Sequence, residues 1–322
     1  MFSKEYLQNL SQNTGFLPEG LQKQMTLLDL LREISLHPIL QTKFSLKGGT
    51  ALNLFWLPLP RLSVDIDLNY IGSVDREAML KDRPVIEQAL KKVIESRAIT
   101  VQFAPADEHA GAKWRLRAPS AFGGSFTLEL DLNYLMRVPI GEPCSKRPFP
   151  LDDDFAFNFT SVSLEELLGG KINALLERSA ASDLYDVAML SKASISPDIA
   201  AVRRANTLIG ITSRKDWRSV DLSAIDGIDQ KMVTDELTPV LPRDETPDLK
   251  ALKSNAKKIL DKILSRSEEE KEFLHRFLDK GEFRPELLFD SAQAERLKNH
   301  PAILWKLQNL RKFKGLDTDN PG

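Results

Sequence analysis

The ten residues 61–70, RLSVDIDLNY, constrain the fold more than any other segment of the chain. Leu62, Val64, Ile66 and Leu68 are apolar, and Ser63, Asp65, Asp67 and Asn69 between them are polar. Successive side chains of a strand point to opposite faces, so this period of two predicts a strand with one buried face and one polar face. Such a strand needs neighbours. Residues 99–104, 113–118 and 124–134 read as three more strands. The last, GSFTLELDLNY, repeats the alternation, with Leu128, Leu130 and Leu132 on one face and Glu129, Asp131 and Asn133 on the other.

Helical patterns surround these strands. Residues 16–37 carry Leu21, Leu27, Leu28, Leu31 and Ile34 at helical spacing and stop near Pro38. Lys47-Gly48-Gly49-Thr50 reads as a glycine turn opening a short helix to about Leu57, which Pro58 and Pro60 end. Residues 75–98 form a charged amphipathic helix. From about residue 160 the pattern is helical only. Ser163 and Glu166 fit a capping box for a helix ending near Arg178. Ser182 is an apt N-cap for a second helix to about Lys192, and a third begins at Pro197. Residues 213–250 hold prolines and charges among short helices, residues 251–280 and 300–313 are helical again, and 315–322 carry no element. The expectation is an α+β protein: a mixed-sheet domain over residues 1–158 and an all-helical domain over 159–322 that completes a substrate cleft.

Composition narrows the setting. The chain of 322 residues is 42% hydrophobic and 28% charged, which suits globular cores. No stretch approaches the roughly 20 apolar residues of a membrane span, and the first residues lack the apolar run of a secretory signal. The single cysteine, Cys144, allows neither an internal disulfide nor a cysteine-based zinc cage, so a cytoplasmic setting is expected. Net charge is −2, so a nucleic acid would have to be met by a local basic patch. The four histidines, His37, His109, His275 and His300, are scattered, and there is no Walker A run, G-x-G-x-x-G or H-E-x-x-H.

The chemistry concentrates in Gly48-Gly49 and Asp65-Ile66-Asp67. Two carboxylates two apart on a strand share a side and suit joint ligation of a hard cation such as Mg²⁺. Such ions can activate a hydroxyl and steady a leaving pyrophosphate. The glycine turn lets backbone approach a phosphate at a helix start. Each feature alone is common, a solvated strand face or an ordinary turn; their succession is what points to a metal and phosphate site. Ser63 shares the side of Asp65 and could touch a phosphate, although a solvated strand serine is the stronger reading, and Lys47 stands beside the turn. Basic residues recur at Lys113, Arg115 and Arg117, then at Arg137, Lys146 and Arg147, either tracking an RNA backbone or marking charged strand edges. Trp114 alternates toward the core.

The run KGGTALNLFWLPLPRLSVDIDLNY resembles the signature of the nucleotidyltransferase AbiEii/AbiGii toxin family of abortive-infection and toxin–antitoxin systems. A second block, Lys171 to Arg178 followed by Asp183-Leu-Tyr-Asp186, extends the resemblance, which covers residues 44–190. It implies a nucleotidyltransferase fold and transfer of a nucleoside monophosphate from a nucleoside triphosphate, with pyrophosphate released. It implies Asp65 and Asp67 as ligands of Mg²⁺ (or Mn²⁺), with Asp131 as third carboxylate and Glu129 as its rival. It places Gly48, Gly49, Thr50, Ser63, Lys171, Arg178 and Asp186 at the nucleotide, and Lys171 and Asp183 among the catalytic groups; Arg178 could equally be structural, pairing with Asp183 or Asp186. The implied acceptor is the tRNA 3′ end, with translation blocked as the outcome, and the implied protein partner is a cognate antitoxin or repressor-antitoxin. AMPylation of a protein or small molecule, or a catalytically inactive nucleotide-binding regulator, are the other readings. Members often carry a basic residue immediately before the first aspartate of the second block; here Ser182 stands there.

Overall fold

The structure, a computed structural model, describes residues 2–103, 111–151 and 156–316. Residue 104 of the second expected strand, His109 and the tail from 317 lie outside the described residues. The chain divides into two compact units, Met1–Ser163 with Gln230–Asp248, and Leu164–Asp229 with Leu249–Gly322. A single cut near 158 would miss the return of 230–248 to the first unit. The return is held by main-chain bonds, Leu62 N–H to the Val240 carbonyl (2.8 Å) and Arg243 N–H to the Gly15 carbonyl (2.9 Å). It is also held by Val233, Leu237 and Leu241, all buried.

The first unit is built on a seven-stranded mixed sheet. Its strands are β1 (Phe44–Leu46), β2 (Asp65–Tyr70), β3 (Thr100–Phe103), β4 (Gly111–Pro119), β5 (Ser125–Asn133), β6 (Cys144–Lys146) and β7 (Phe159–Ser161). Their order is β3-β4-β5-β2-β1-β7-β6. β2 runs parallel to β5 and antiparallel to β1, and β4 runs antiparallel to β5. β2 starts four residues later than the alternation suggests, because the backbone at Leu62 bonds to Val240 rather than to a neighbouring strand. Ile66, Leu68, Leu116, Leu128, Leu130, Leu132 and Trp114 are buried, and this is the core that the period of two requires.

Helices α1 (Lys4–Thr14), α2 (Pro18–Leu36), α3 (Gly48–Phe55) and α4 (Arg76–Ser96) complete this unit. Contacts of α2 with β5 and β7, and of α4 with β3, cover the sheet. α1 is closed by its caps, the Ser3 hydroxyl accepting from Tyr6 N–H and Gly15 adopting a left-handed φ of 79°.

The second unit is helical. α5 (Leu164–Arg178), α6 (Ala181–Met189) and α7 (Ile199–Gly210) are followed by helices over Leu249–Leu264, Glu268–His275, Ser291–Leu297 and Pro301–Lys314. The N-cap of α6 is Ala180 rather than Ser182, so Ser182 lies inside the first turn and no side chain caps it. The helix expected over 251–280 is broken before Ser267, whose hydroxyl and Glu270 form a capping box that starts a new one. Gly169 allows α5 and α7 to touch: a β-carbon there would stand 2.8 Å from the Asn206 nitrogen. Asn206 Nδ2 also donates to the Gly169 carbonyl at 3.1 Å. The close approach that this glycine permits is therefore to a helix of its own unit. Among the described residues no helix is long and apolar enough to cross a membrane.

Candidate active site

Register across the sheet assembles the acidic face of the first unit. Asp65 pairs with Glu129 and Asp67 with Asp131 between β2 and β5, while Glu129 faces Arg115 and Asp131 faces Lys113 on β4. Residues directly opposite one another on paired strands point to the same side. Four carboxylates on two central strands therefore lie beside a cationic strand. Lys113 Nζ is 2.6 Å from Glu129 Oε2, so Glu129 has a counter-ion within this row.

Asp65 and Asp131 are less well compensated. Burial raises the Asp65 carboxyl above the usual carboxylate range, and the charges of Asp67 and Glu129 add to it. Burial likewise raises Asp131, with Asp67 adding and the cations Lys47 and Lys113 opposing. The Lys113 ammonium is pushed up, chiefly by its bond to Glu129.

The glycine turn is fitted to this row. Gly48 has a φ of +73°, and a β-carbon on it would collide with the carboxylate of Asp67. Lys47 N–H donates to the Asp67 carbonyl at 2.9 Å, which ties the turn to β2. Thr50, which is buried, donates its hydroxyl to the Asp65 carbonyl at 2.5 Å and lies 3.0 Å from Ser63 Oγ. Gly48, Gly49, Thr50, Ser63, Asp65, Asp67 and Asp131 thus gather in one unit. In this geometry the Thr50 hydroxyl orients the β2 backbone. Beyond Asp67, Ser45 and Asn69 face each other in the sheet, both buried, and among the described residues Ser45 Oγ and Asn69 Oδ1 have no hydrogen-bond partner.

Not every basic residue of the sequence reaches this face. Arg137 is buried and spends its guanidinium on the Val74 and Tyr134 carbonyls, at 2.9 and 3.1 Å, so it cannot track a backbone at the surface. Lys146 stacks over the Trp56 ring, 3.8 Å from its centroid. Arg115 and Arg117 are exposed on β4 and Trp114 is buried behind them.

Lys171, Arg178, Asp183 and Asp186 gather in the helical unit. Lys171 Nζ lies 2.8 Å from Asp183 Oδ1 and 2.9 Å from Asp186 Oδ2, with both aspartates fully buried. Arg178 Nε lies 2.6 Å from Asp183 Oδ2. Burial pushes the Asp183 carboxyl upward, but Lys171 and Arg178 outweigh it and hold it below the usual range.

Among the described residues, no three His, Cys, Asp or Glu side chains converge as a closed metal cluster. What the acidic face offers is an open set of hard oxygen donors short of positive charge. That fits Mg²⁺, which takes one or two protein carboxylates and completes its shell with water and substrate phosphates.

The sequence matches the family described as nucleotidyl transferase AbiEii toxin, type IV toxin–antitoxin system, over residues 29–295. The chain belongs to this family. It is therefore a nucleotidyltransferase toxin that uses a nucleoside triphosphate, and its type of system implies an antitoxin partner. The fold is similar to that of a solved structure, the nucleotidyltransferase toxin MenT4 from Mycobacterium tuberculosis H37Rv. The two superpose with a TM-score of 0.59 at 16% identity, over 94% of this chain and 99% of MenT4. No curated protein sequence matches the chain significantly.

Proposed function

We propose that this AbiEii protein transfers a nucleoside monophosphate to the 3′ end of tRNA in a reaction that depends on Mg²⁺ or Mn²⁺ held by Asp65, Asp67 and Asp131. The observation that carries the proposal is the sheet row Asp67–Asp131–Lys113, with Asp65 two residues from Asp67 and the Gly48 turn against it. When bound, the metal would neutralise charge on the triphosphate and on the attacking hydroxyl. The chain's own residues do the rest. The turn at Gly48 fixes the Asp67 carboxylate, and Thr50 fixes the Asp65 backbone. Lys47 and Lys113, whose charges act on Asp131, supply cations for phosphate oxygens. Glu129 serves by holding Lys113, which favours Asp131 as third carboxylate. Asp183 and Asp186 position Lys171, for which the family resemblance implies a triphosphate role. The adjacent Arg115 and Arg117 suit an RNA backbone.

The test offers purified protein, Mg²⁺ and each α-labelled nucleoside triphosphate with total tRNA, beside Asp65→Ala. Label on tRNA, absent with the variant, supports the proposal and names the nucleotide. Label on protein or on a small molecule instead moves the acceptor, and label that Asp65→Ala retains removes the proposed site.

A further inference from the structure

The last helix, Pro301–Lys314, is built for contact with something outside its unit. It buries only Ala302, Ile303 and Leu307, and it ends in the cations Arg311, Lys312 and Lys314. Two of its aromatic rings face solvent, Trp305 at 58% exposure and Phe313 at 88%. Trp305, Asn309 and Phe313 follow at steps of four, as do Lys306, Leu310 and Lys314, so an aromatic stripe runs beside a cationic one.

The segment 213–218 borders these stripes across a groove of about 370 Å³. Arg214, Lys215 and Arg218 line it together with Lys306, Phe313 and Lys314. Against these five cations, Asp216 is the one acid lining the groove. The whole chain carries −2, so the surplus is local.

The cations are also held in place. Lys215 Nζ donates to the Leu176 carbonyl at 2.7 Å, and Lys306 Nζ to the Ser213 carbonyl at 2.6 Å. A carbonyl fixes an ammonium without cancelling its charge, as a carboxylate would. Arg218 pairs with Asp216 and shares Asp279 with Lys314, while Arg214 makes no ion pair among the described residues.

We propose that this groove docks RNA, with the sugar–phosphate backbone along the cations and unpaired bases stacked on Phe313 and Trp305. The inference rests on the reading of RNA as acceptor and adds a docking surface on the helical unit. An acidic protein would match the charge alone, whereas two exposed flat rings beside fixed cations match bases and phosphates together.

The test is fluorescence anisotropy of labelled, transcribed tRNA with the full chain over a range of salt. Arg214→Gln touches only an exposed side chain that makes no ion pair among the described residues and leaves folding intact. It should lower the slope of log K against log salt by roughly 0.8, because one phosphate contact is lost. Phe313→Ala should weaken binding about fivefold or more at every salt concentration. In the transfer assay both variants should raise KM for tRNA and leave kcat and KM for the nucleotide unchanged. Unchanged slope and affinity overturn the docking surface, as does loss of antitoxin binding with tRNA binding intact. If the wild type labels no RNA, the acceptor assignment fails by itself, and anisotropy on the same protein still decides the groove.

Discussion

The carboxylate of Asp67 stands where a β-carbon on residue 48 would have to go. Gly48 also has a φ of +73°, a backbone conformation that costs any other residue about 1–2 kcal/mol. Gly48→Ala therefore has two effects of different kinds. It should lower stability by about that amount, and it should displace Asp67 and cut transfer activity by about a hundredfold, the scale of losing one preorganised electrostatic contact. Urea unfolding and the labelled-nucleotide assay separate the two. A variant that loses stability yet keeps full activity would show that Asp67 tolerates displacement and does not hold the metal.

Asp131 and Glu129 occupy the same strand face but differ in their partners. Glu129 is paired with Lys113 at 2.6 Å, while Asp131 faces Asp67 across the strand pair. Asp131→Asn is expected to reduce kcat about a hundredfold or more, and Glu129→Gln by only several-fold through a loosened Lys113. Steady-state kinetics on the two isosteric variants checks this. The reverse order would make Glu129 the third carboxylate.

Raised carboxyl pKa values make the acidic face a stability cost that a cation relieves. The Asp65 carboxyl titrates higher in the fold than in the unfolded chain, so its contribution favours the fold at low pH and is lost as pH rises through the folded value. Asp65→Asn should then match the wild type below about pH 4, the range of a free carboxyl, and exceed it in stability at neutral pH. Mg²⁺ should reverse that order by stabilising the wild type alone, by about 1.4 kcal/mol at ten times its Kd. Urea midpoints from pH 3.5 to 7.5, with and without Mg²⁺, provide the measurement. No stability gain at neutral pH, or an equal response to Mg²⁺ in both proteins, would count against a metal at Asp65.

The long periodic segments were legible because one face of each must be buried. β2 and β5 alternate for six residues or more, and their polar faces named the carboxylates before any register was known. β1, β6 and β7 have three residues each, too few to show a period, and β1 is buried throughout. The pairing of Asp67 with Asp131 and the contact of Gly48 with Asp67 depend on register and on chain segments far apart, which no local pattern encodes. The placement of 230–248 against the first unit is of the same kind. Ser182 misled as an N-cap because a side-chain cap contributes only about 1 kcal/mol, which tertiary packing can outweigh, and Ala180 takes the position with no side-chain bond at all. The groove cations escaped notice because segments 213–218 and 306–314 are each only ordinarily basic; the fold brings them together.

Lys171 gives the sharpest test of how the helical unit is held. Its ammonium lies between Asp183 and Asp186, both with no exposed side-chain surface, and is itself only 6% exposed. Lys171→Met keeps the length and removes the charge, leaving two buried carboxylates without their shared ammonium. Breaking a buried ion cluster in this way costs roughly 3–5 kcal/mol, whereas Arg178→Ala, at a side chain 63% exposed, should cost about 1 kcal/mol or less. The pH dependence fixes the cause. The Asp183 carboxyl is held low in the fold, so its contribution is present above about pH 4 and is lost as pH falls through the folded value. The gap between wild type and Lys171→Met should therefore be widest at neutral pH and narrow in acid, where Asp183 protonates and no longer needs the ammonium. Urea unfolding of both proteins at pH 3 and pH 7 reads it directly. A gap that is small, or equal at the two pH values, would mean that Lys171 does not neutralise these aspartates in the folded protein.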